Sequence, residues 1–191
     1  LHEKSTPSKA LPFLKKALIA DPEHTNVRVA LSMTLQEMGQ LNQAEELLQG
    51  LIGEPNANYW KQYASVCISK SEWETAHEYI GYAIELDSNN ANAHDIAALI
   101  ASSQGDSLNA IEEWEMAAQL HEKERNWKHV ELSLAYAAEK GELSLDGLRL
   151  LALSQVELKH IDEAKTTVHK LLTKNPNDEV ALELQKRLHS E

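Results

Sequence analysis

The chain has 191 residues, 42% of them hydrophobic, and a formal net charge of −12. That acidity, with no basic stripe to neutralise phosphates, disfavours nucleic-acid binding. No uninterrupted apolar run approaches the ~20 residues a bilayer crossing needs, and the single cysteine, Cys67, excludes an internal disulfide.

Helical patterning predicts elements near 8–20, 26–38, 41–53, 57–70, 73–86, 91–104, 107–121, 126–140, 145–158, 161–174 and 178–189. Seven glycines and five prolines, most of them at predicted helix ends, suit an almost purely helical chain. Ser71, Asp106, Ser144 and Asn177 are cap-type residues at helix starts, able to satisfy orphan N–H groups. Pro12 falls inside the first helix, where it removes a hydrogen bond and bends the backbone unless the helix starts near it. The last helix places Val180, Ala181, Leu184 and Leu188 on one face and reads as a capping helix for the end of an array. Linkers of only a few residues leave no flexible domain boundary. The start at Leu1, without a methionine or a signal-like segment, reads as that of a fragment or a processed product.

One cassette recurs along these elements. Ala10, Ala44, Ala76, Ala110 and Ala164 are separated by 34, 32, 34 and 54 residues. Four residues after each stands Leu14, Leu48, Ile80, Trp114 or Val168, and three further on Ala17, Leu51, Ala83, Ala117 or Leu171. Thirteen and twelve residues before the last four alanines a large or apolar residue precedes a small one, as Leu31-Ser32, Tyr63-Ala64, Ala97-Ala98 and Leu151-Ala152. Nine before stand Leu35, Cys67, Ala101 and Gln155, and five before, where one helix gives way to the next, Gly39, Ser71, Gly105 and Lys159. Small residues at fixed register let two helices approach closely enough for large side chains to interdigitate. A period near 34 is the mark of a helical solenoid whose units pack on their neighbours.

These residues resemble the tetratricopeptide repeat, whose pattern is W-x2-L-G-x2-Y, then A-x3-F-x2-A, then P. The resemblance covers most of residues 7–176. It is strongest in the third repeat, with Trp60, Ala64, Ala76, Ile80 and Ala83, and in the last, which closes on Pro176. It implies an all-α, right-handed helical-hairpin solenoid of about five such repeats with a C-terminal capping helix. On this reading residues 1–191 form a single array. Residues 7–22 hold the second helix of a truncated repeat, 25–56, 57–90 and 91–124 are full repeats, 125–144 an irregular single helix, 145–176 the last repeat and 177–191 the capping helix. The gap of 54 residues leaves room for one additional helix. Residues 126–140, with Trp127, Val130, Leu132, Leu134 and Tyr136, look like a first helix without its own second. Either the helix at 145–158 takes the second place and later pairing shifts, or the array breaks there.

The resemblance implies a noncatalytic scaffold that binds a protein or peptide partner in a concave groove lined by first helices, within a larger assembly. A module of a larger enzyme or of an envelope or polysaccharide export machine is the alternative. The register puts Asn26, Val29, Met33 and Gln36, then Asn58, Lys61, Ser65 and Ile68, then Asn92, Asp95, Leu99 and Ser102 at groove positions. Asn26, Asn58, Asn92 and Asn126 recur at 32, 34 and 34 residues, either as a ladder of amides for an extended backbone or as helix caps. Lys61 is the lone groove lysine, Val29 and Asp95 hold the corresponding places, and no groove arginine appears, so a carboxylate clamp for a chaperone tail is not expected. The open face of the first helix offers a route to self-association.

Residues 57–124 carry three basic and twelve acidic residues. Among them Glu72, Glu74, Glu78, Glu112, Glu113 and Glu115 fall on second helices, as a solvated face or a dock for a basic partner. Of six aromatics in the third repeat, Trp60, Tyr63 and Tyr79 take packing positions, leaving Tyr59, Trp73 and Tyr82 partly exposed. Cys67 occupies a packing position in a first helix. No cofactor, metal or catalytic residue is expected. His121-Glu122-Lys123-Glu124-Arg125 begins like a zinc-protease helix but ends in arginine, and no two histidines are spaced i, i+4.

Overall fold

The computed structural model describes residues 7–51 and 54–190, among which all regular structure is helical. The helices are α1 (Pro7–Ala20), α2 (Thr25–Glu37), α3 (Leu41–Gln49), α4 (Ala57–Ser69), α5 (Trp73–Leu86), α6 (Ala91–Ser103), α7 (Ser107–Lys123), α8 (Trp127–Lys140), α9 (Leu145–Glu157), α10 (Ile161–Lys174) and α11 (Glu179–Ser190). Their ends lie close to the predicted ones except for α3, which stops at Gln49. Gly50 is its C-cap, and Arg28 satisfies a carbonyl at this end: Nη1 donates to Leu47 O at 2.6 Å, while Nη2 donates to Pro22 O at 3.0 Å. Residues 52–53 of the predicted helix lie outside the described residues. Pro12 sits within α1.

The chain divides into two compact units, Leu1–Ser88 and Asn89–Glu191. In the first, α2 pairs with α3 and α4 with α5, while α1 lies against α2 and α4 against α2 and α3. In the second, α6 pairs with α7 and α9 with α10, α11 packs on α9 and α10, and α8 lies against α7 and α9. The four later cassette alanines, Ala44, Ala76, Ala110 and Ala164, are fully buried, as are Ser32, Ala64, Ala98 and Ala152 of the first helices. Ser32 Oγ donates to the Ala44 carbonyl at 3.4 Å, so this pair of small residues sits where the backbones come together.

One turn geometry joins the tight hairpins. Gly39, Ser71, Gly105, Arg125 and Lys159 adopt the left-handed conformation, with φ of 74°, 63°, 82°, 55° and 62°. The next residue's N–H returns to a carbonyl five residues back, as in Gln40 to Leu35, Glu72 to Cys67, Asp106 to Ala101, Asn126 to His121 and His160 to Gln155. Four of these are the predicted junctions. The fifth, at Arg125, closes α7 onto α8 with the turn used elsewhere within hairpins, so α7 has a tight partner on each side.

Caps follow the expected chemistry with two corrections. Asp106 and Ser144 accept from the N–H groups of Asn109 and Gly147. Ser71 is the left-handed turn residue rather than a cap, and α11 is capped by Asp178, which accepts from Ala181 N at 3.1 Å, not by Asn177. Asp178 is buried and also receives Arg149 Nε at 2.9 Å and Nη2 at 2.6 Å. Ala181, Leu184 and Leu188 are buried on α11, whereas Val180 is exposed.

Candidate functional site

In the first unit, α2 and α4 frame a cleft of about 310 Å³ lined by Asn26, Val29, Ala30, Met33, Asn58, Lys61 and Gln62. Burial lowers the pKa of the Lys61 ammonium, an effect partly offset by the Asp87 carboxylate. Asn26 Oδ1 accepts from Asn56 Nδ2 at 3.1 Å, which leaves its amide N–H₂ as the group it can offer. Gln36 and Ser65, placed at groove positions by the register, are instead joined to each other. Gln36 Nε2 donates to Ser65 O and Oγ at 3.1 and 3.0 Å, and Gln36 Oε1 accepts from Gln62 Nε2 at 2.8 Å. Their polar atoms fasten α2 to α4. Ile68 is half-buried and does not line the cleft.

The capping alternative for the asparagine series is corrected. Caps are supplied by His24, Asn56 and Asn90, which accept from Val27, Tyr59 and Ala93 N–H groups. Asn26, Asn58 and Asn92 stand two residues inside the helices with exposed side chains. Asn126 precedes α8 without a capping bond, its Oδ1 2.9 Å from His129 Nδ1.

In the second unit, α6 and α8 border a cleft of about 430 Å³. Asp95, Leu99 and Ser102 come from α6, Trp114 from α7, and Leu132, Ser133, Tyr136, Glu139 and Lys140 from α8. Trp114 is buried beneath it, 5.7 Å from the Tyr136 ring between centroids. Leu99, Leu132 and Tyr136 remain 44%, 47% and 45% exposed. Leu132 and Tyr136 carry no groove assignment in the sequence; the 34-residue step from Asn92 to Asn126, which also takes Ser102 to Tyr136, is the signal that could have found the tyrosine. Asn92 is exposed but does not line this cleft.

Asp95 is a structural tie as well as a cleft residue. Its Oδ2 lies 2.8 Å from His121 Nε2 of α7, and its Oδ1 accepts from Ser133 Oγ of α8 at 2.6 Å. His121 is buried, with Nδ1 lacking a hydrogen-bond partner and 4.0 Å from Glu124 Oε2. The histidine that opens the protease-like string therefore binds a carboxylate in the helix packing. Among the described residues, no three histidine, cysteine, aspartate or glutamate side chains are grouped to hold a metal ion. Cys67 is buried, and desolvation, with lesser help from Glu72 and Glu45, pushes its thiol up to about 11.

Two further expectations are corrected. Tyr59 is core, its hydroxyl donating to the Leu48 carbonyl at 2.8 Å. Tyr79 stacks on Trp60 at 5.3 Å and approaches Tyr63 at 4.3 Å, while exposed Tyr82 donates to Glu78 at 2.7 Å. The acidic second-helix residues are not uniformly solvated. Glu113 Oε2 lies 2.6 Å from His94 Nδ1, Glu115 accepts from Ser144 N and Oγ at 2.7 Å each, and Glu72 pairs with Lys70 at 2.7 Å. Arg28, the arginine of α2, is consumed at the end of α3 rather than offered to the cleft. No helix among the described residues is long and apolar enough to cross a membrane.

Residues 1–65 match the family model described as Tetratricopeptide repeat. No curated protein matches the chain in sequence. Among solved structures, TTC0263, a thermophilic TPR protein of Thermus thermophilus, is similar with a TM-score of 0.57 at 18% identity, over 96% of this chain and 89% of that one. MamA gives 0.55 at 20% identity, over 98% and 94%. YrrB, described as a TPR protein with an unusual peptide-binding site, gives 0.51 at 15%, over 94% and 84%. At these identities the likeness establishes the fold, an all-α helical solenoid. The tetratricopeptide-repeat match thus covers residues 1–65, and the likeness to solved structures extends the helical-solenoid fold along the rest of the chain.

Proposed function

We propose that the chain is a noncatalytic scaffold that holds a peptide segment of a partner protein against its first helices, with the α6–α8 cleft as the main anchor point. The observation that carries this reading is the convergence of exposed Leu99, Leu132 and Tyr136 above buried Trp114. Three large apolar side chains around one concavity cost solvation unless a partner covers them, and aromatic anchors in such pockets dominate interface energetics. In the first unit, the Asn26 and Asn58 amides and Lys61 offer polar recognition beside Val29 and Met33. The reading takes support from the family, since YrrB is described as having a peptide-binding site.

Selection of a random peptide display library on the chain, followed by amide chemical-shift mapping with an enriched peptide, tests it. Shifts concentrated on α6 and α8, with affinity lost in Leu99→Glu and in Tyr136→Ala, are expected. Shifts confined to other surfaces, or affinity indifferent to both substitutions, would refute the assignment.

A further inference from the structure

Asp95 brings into the α6–α8 cleft a charge that no lysine or arginine among the described residues pairs with. Its two oxygens are fixed by the adjoining helices, Oδ2 lying 2.8 Å from His121 Nε2 of α7 and Oδ1 accepting from Ser133 Oγ of α8 at 2.6 Å. The side chain nevertheless remains 26% exposed where it lines the cleft. A carboxylate has roughly four acceptor sites, so these two contacts leave capacity for a donor arriving from solvent.

The surfaces beside Asp95 decide which donor fits. Leu99 stands about one turn further along α6, and Tyr136 about one turn beyond Ser133 on α8. The rings of Trp114 and Tyr136 are near parallel, with 31° between their planes, so Trp114 covers one face of the tyrosine and the exposed part of the ring is turned away from it. A side chain with an apolar stem and a flat cationic head matches this series: methylenes against Leu99 and Leu132, and a guanidinium against both an aromatic ring and a carboxylate. An ammonium supplies the charge without the flat face, and an aliphatic residue would desolvate Asp95 while giving it no partner. Lys140 does not fill the place. It is seven residues beyond Ser133 on α8 and next to Glu139; that is about 10 Å of helix rise, more than the Debye length of ~8 Å at physiological ionic strength.

Building on the reading of the α6–α8 cleft as a peptide site, on which it depends, we propose that this cleft selects an arginine of the partner peptide. The arginine methylenes lie against Leu99 and Leu132, and its guanidinium donates to Asp95 and stacks on Tyr136.

The probes are three pentapeptides, acetyl-Ser-Gly-X-Gly-Ser-amide, with arginine, citrulline or norleucine at X. Citrulline keeps the shape of arginine without its charge, and norleucine keeps only an apolar stem. Amide chemical-shift titration of the whole chain at physiological salt, where its general acidity is screened, reads both affinity and place. The arginine peptide should shift Asp95, Leu99, Ser133 and Tyr136 saturably and bind at least about tenfold more tightly than the citrulline peptide. Asp95→Asn, which keeps an acceptor and removes the charge, should abolish that preference. Tyr136→Leu, at an exposed position, should weaken the arginine peptide more than the norleucine peptide, and circular dichroism of both variants should match the parent. Citrulline or norleucine bound at these amides as tightly as arginine would overturn the arginine assignment while leaving the cleft an apolar peptide site. A preference for arginine that persists in Asp95→Asn would overturn it too, and shifts confined to other surfaces with all three peptides would remove both the assignment and the peptide site.

Discussion

Ser133 of α8 and His121 of α7 are held through opposite oxygens of one carboxylate, that of Asp95 on α6, at 2.6 and 2.8 Å. Both are buried, and His121 already has one ring nitrogen without a hydrogen bond, so Asp95 supplies the side-chain contact that satisfies the other. Asp95→Ala should therefore destabilise the second unit by about 1–3 kcal/mol, the desolvation penalty of buried groups left unpaired. Asp95→Asn, which keeps an acceptor, should cost less. Urea unfolding followed by the fluorescence of Trp114 and Trp127 in a background with Trp60→Phe and Trp73→Phe measures both, and an unchanged midpoint for Asp95→Ala would show that the tie contributes nothing net.

The left-handed junctions predict changes of opposite sign. Arg125 and Lys159 hold φ of 55° and 62° with ordinary side chains, at a conformational cost that glycine avoids. Lys159→Gly and Arg125→Gly should each stabilise by about 0.5–1 kcal/mol, less whatever the freer unfolded chain takes back. At Gly39, φ is 74° and an added Cβ would meet nothing within 4 Å, so Gly39→Ala should destabilise through backbone strain alone. Chemical denaturation of the three variants, with the sign of each shift as readout, is sufficient.

Helix positions and the small-residue contacts were legible because both rest on local rules. An alanine every 34 or so residues repeats a close helix crossing, and Ala44, Ala76, Ala110 and Ala164 are fully buried. The α8 wall of the cleft was not legible in the same way. Residues 126–140 lack a cassette, and only the asparagine spacing that carries Asn92 to Asn126 also carries Leu99 and Ser102 to Ser133 and Tyr136, while nothing points to Leu132. At Gln36, Ser65 and Asp95 what was not legible was the hydrogen-bond partner. Register places a residue on a face, but whether its polar group awaits a ligand or is bound by the next helix depends on residues some 26 to 38 positions away, as in Gln36 with Gln62 and Asp95 with Ser133. The capping asparagines were missed by two positions because Asn56-Ala57-Asn58 and Asn90-Ala91-Asn92 each offer two candidates, and only backbone geometry selects the first.

His160, between α9 and α10, lies with Nδ1 2.9 Å from Glu131 Oε1 of α8. The hydrogen bond to Glu131, followed by the charge of that carboxylate, raises the pKa of the imidazole above its usual 6.5. A raised folded-state value means a stabilising contribution fully present below the unfolded pKa and lost as pH rises through the folded one. The midpoint difference between the parent and His160→Gln should accordingly be larger near pH ~5.5 than near pH ~8. Equal differences at the two pH values would show that the charged pair is not what the imidazole contributes.

Asp178 joins three structural roles in one buried carboxylate: it caps α11 through Ala181 N, binds Arg149 of α9, and accepts from Asn175 Nδ2 at 3.2 Å. The Arg149 guanidinium, followed by the Ala181 N–H and opposed by burial, holds its carboxyl below the usual 3.8. A depressed folded-state value gives stability present above the unfolded pKa and lost as pH falls through the folded one, so the docking of α11 should loosen on acidification in that window. Asp178→Ala should remove the cap and leave Arg149 with only Asp146 beside it, at a cost of about 3 kcal/mol. Hydrogen exchange at α11 amides is the discriminating readout. Loss of protection at Ala181, Leu184 and Leu188 with α6 and α7 unaffected is expected, and uniform loss across the unit would instead mean that α11 unfolds only with the helices beneath it.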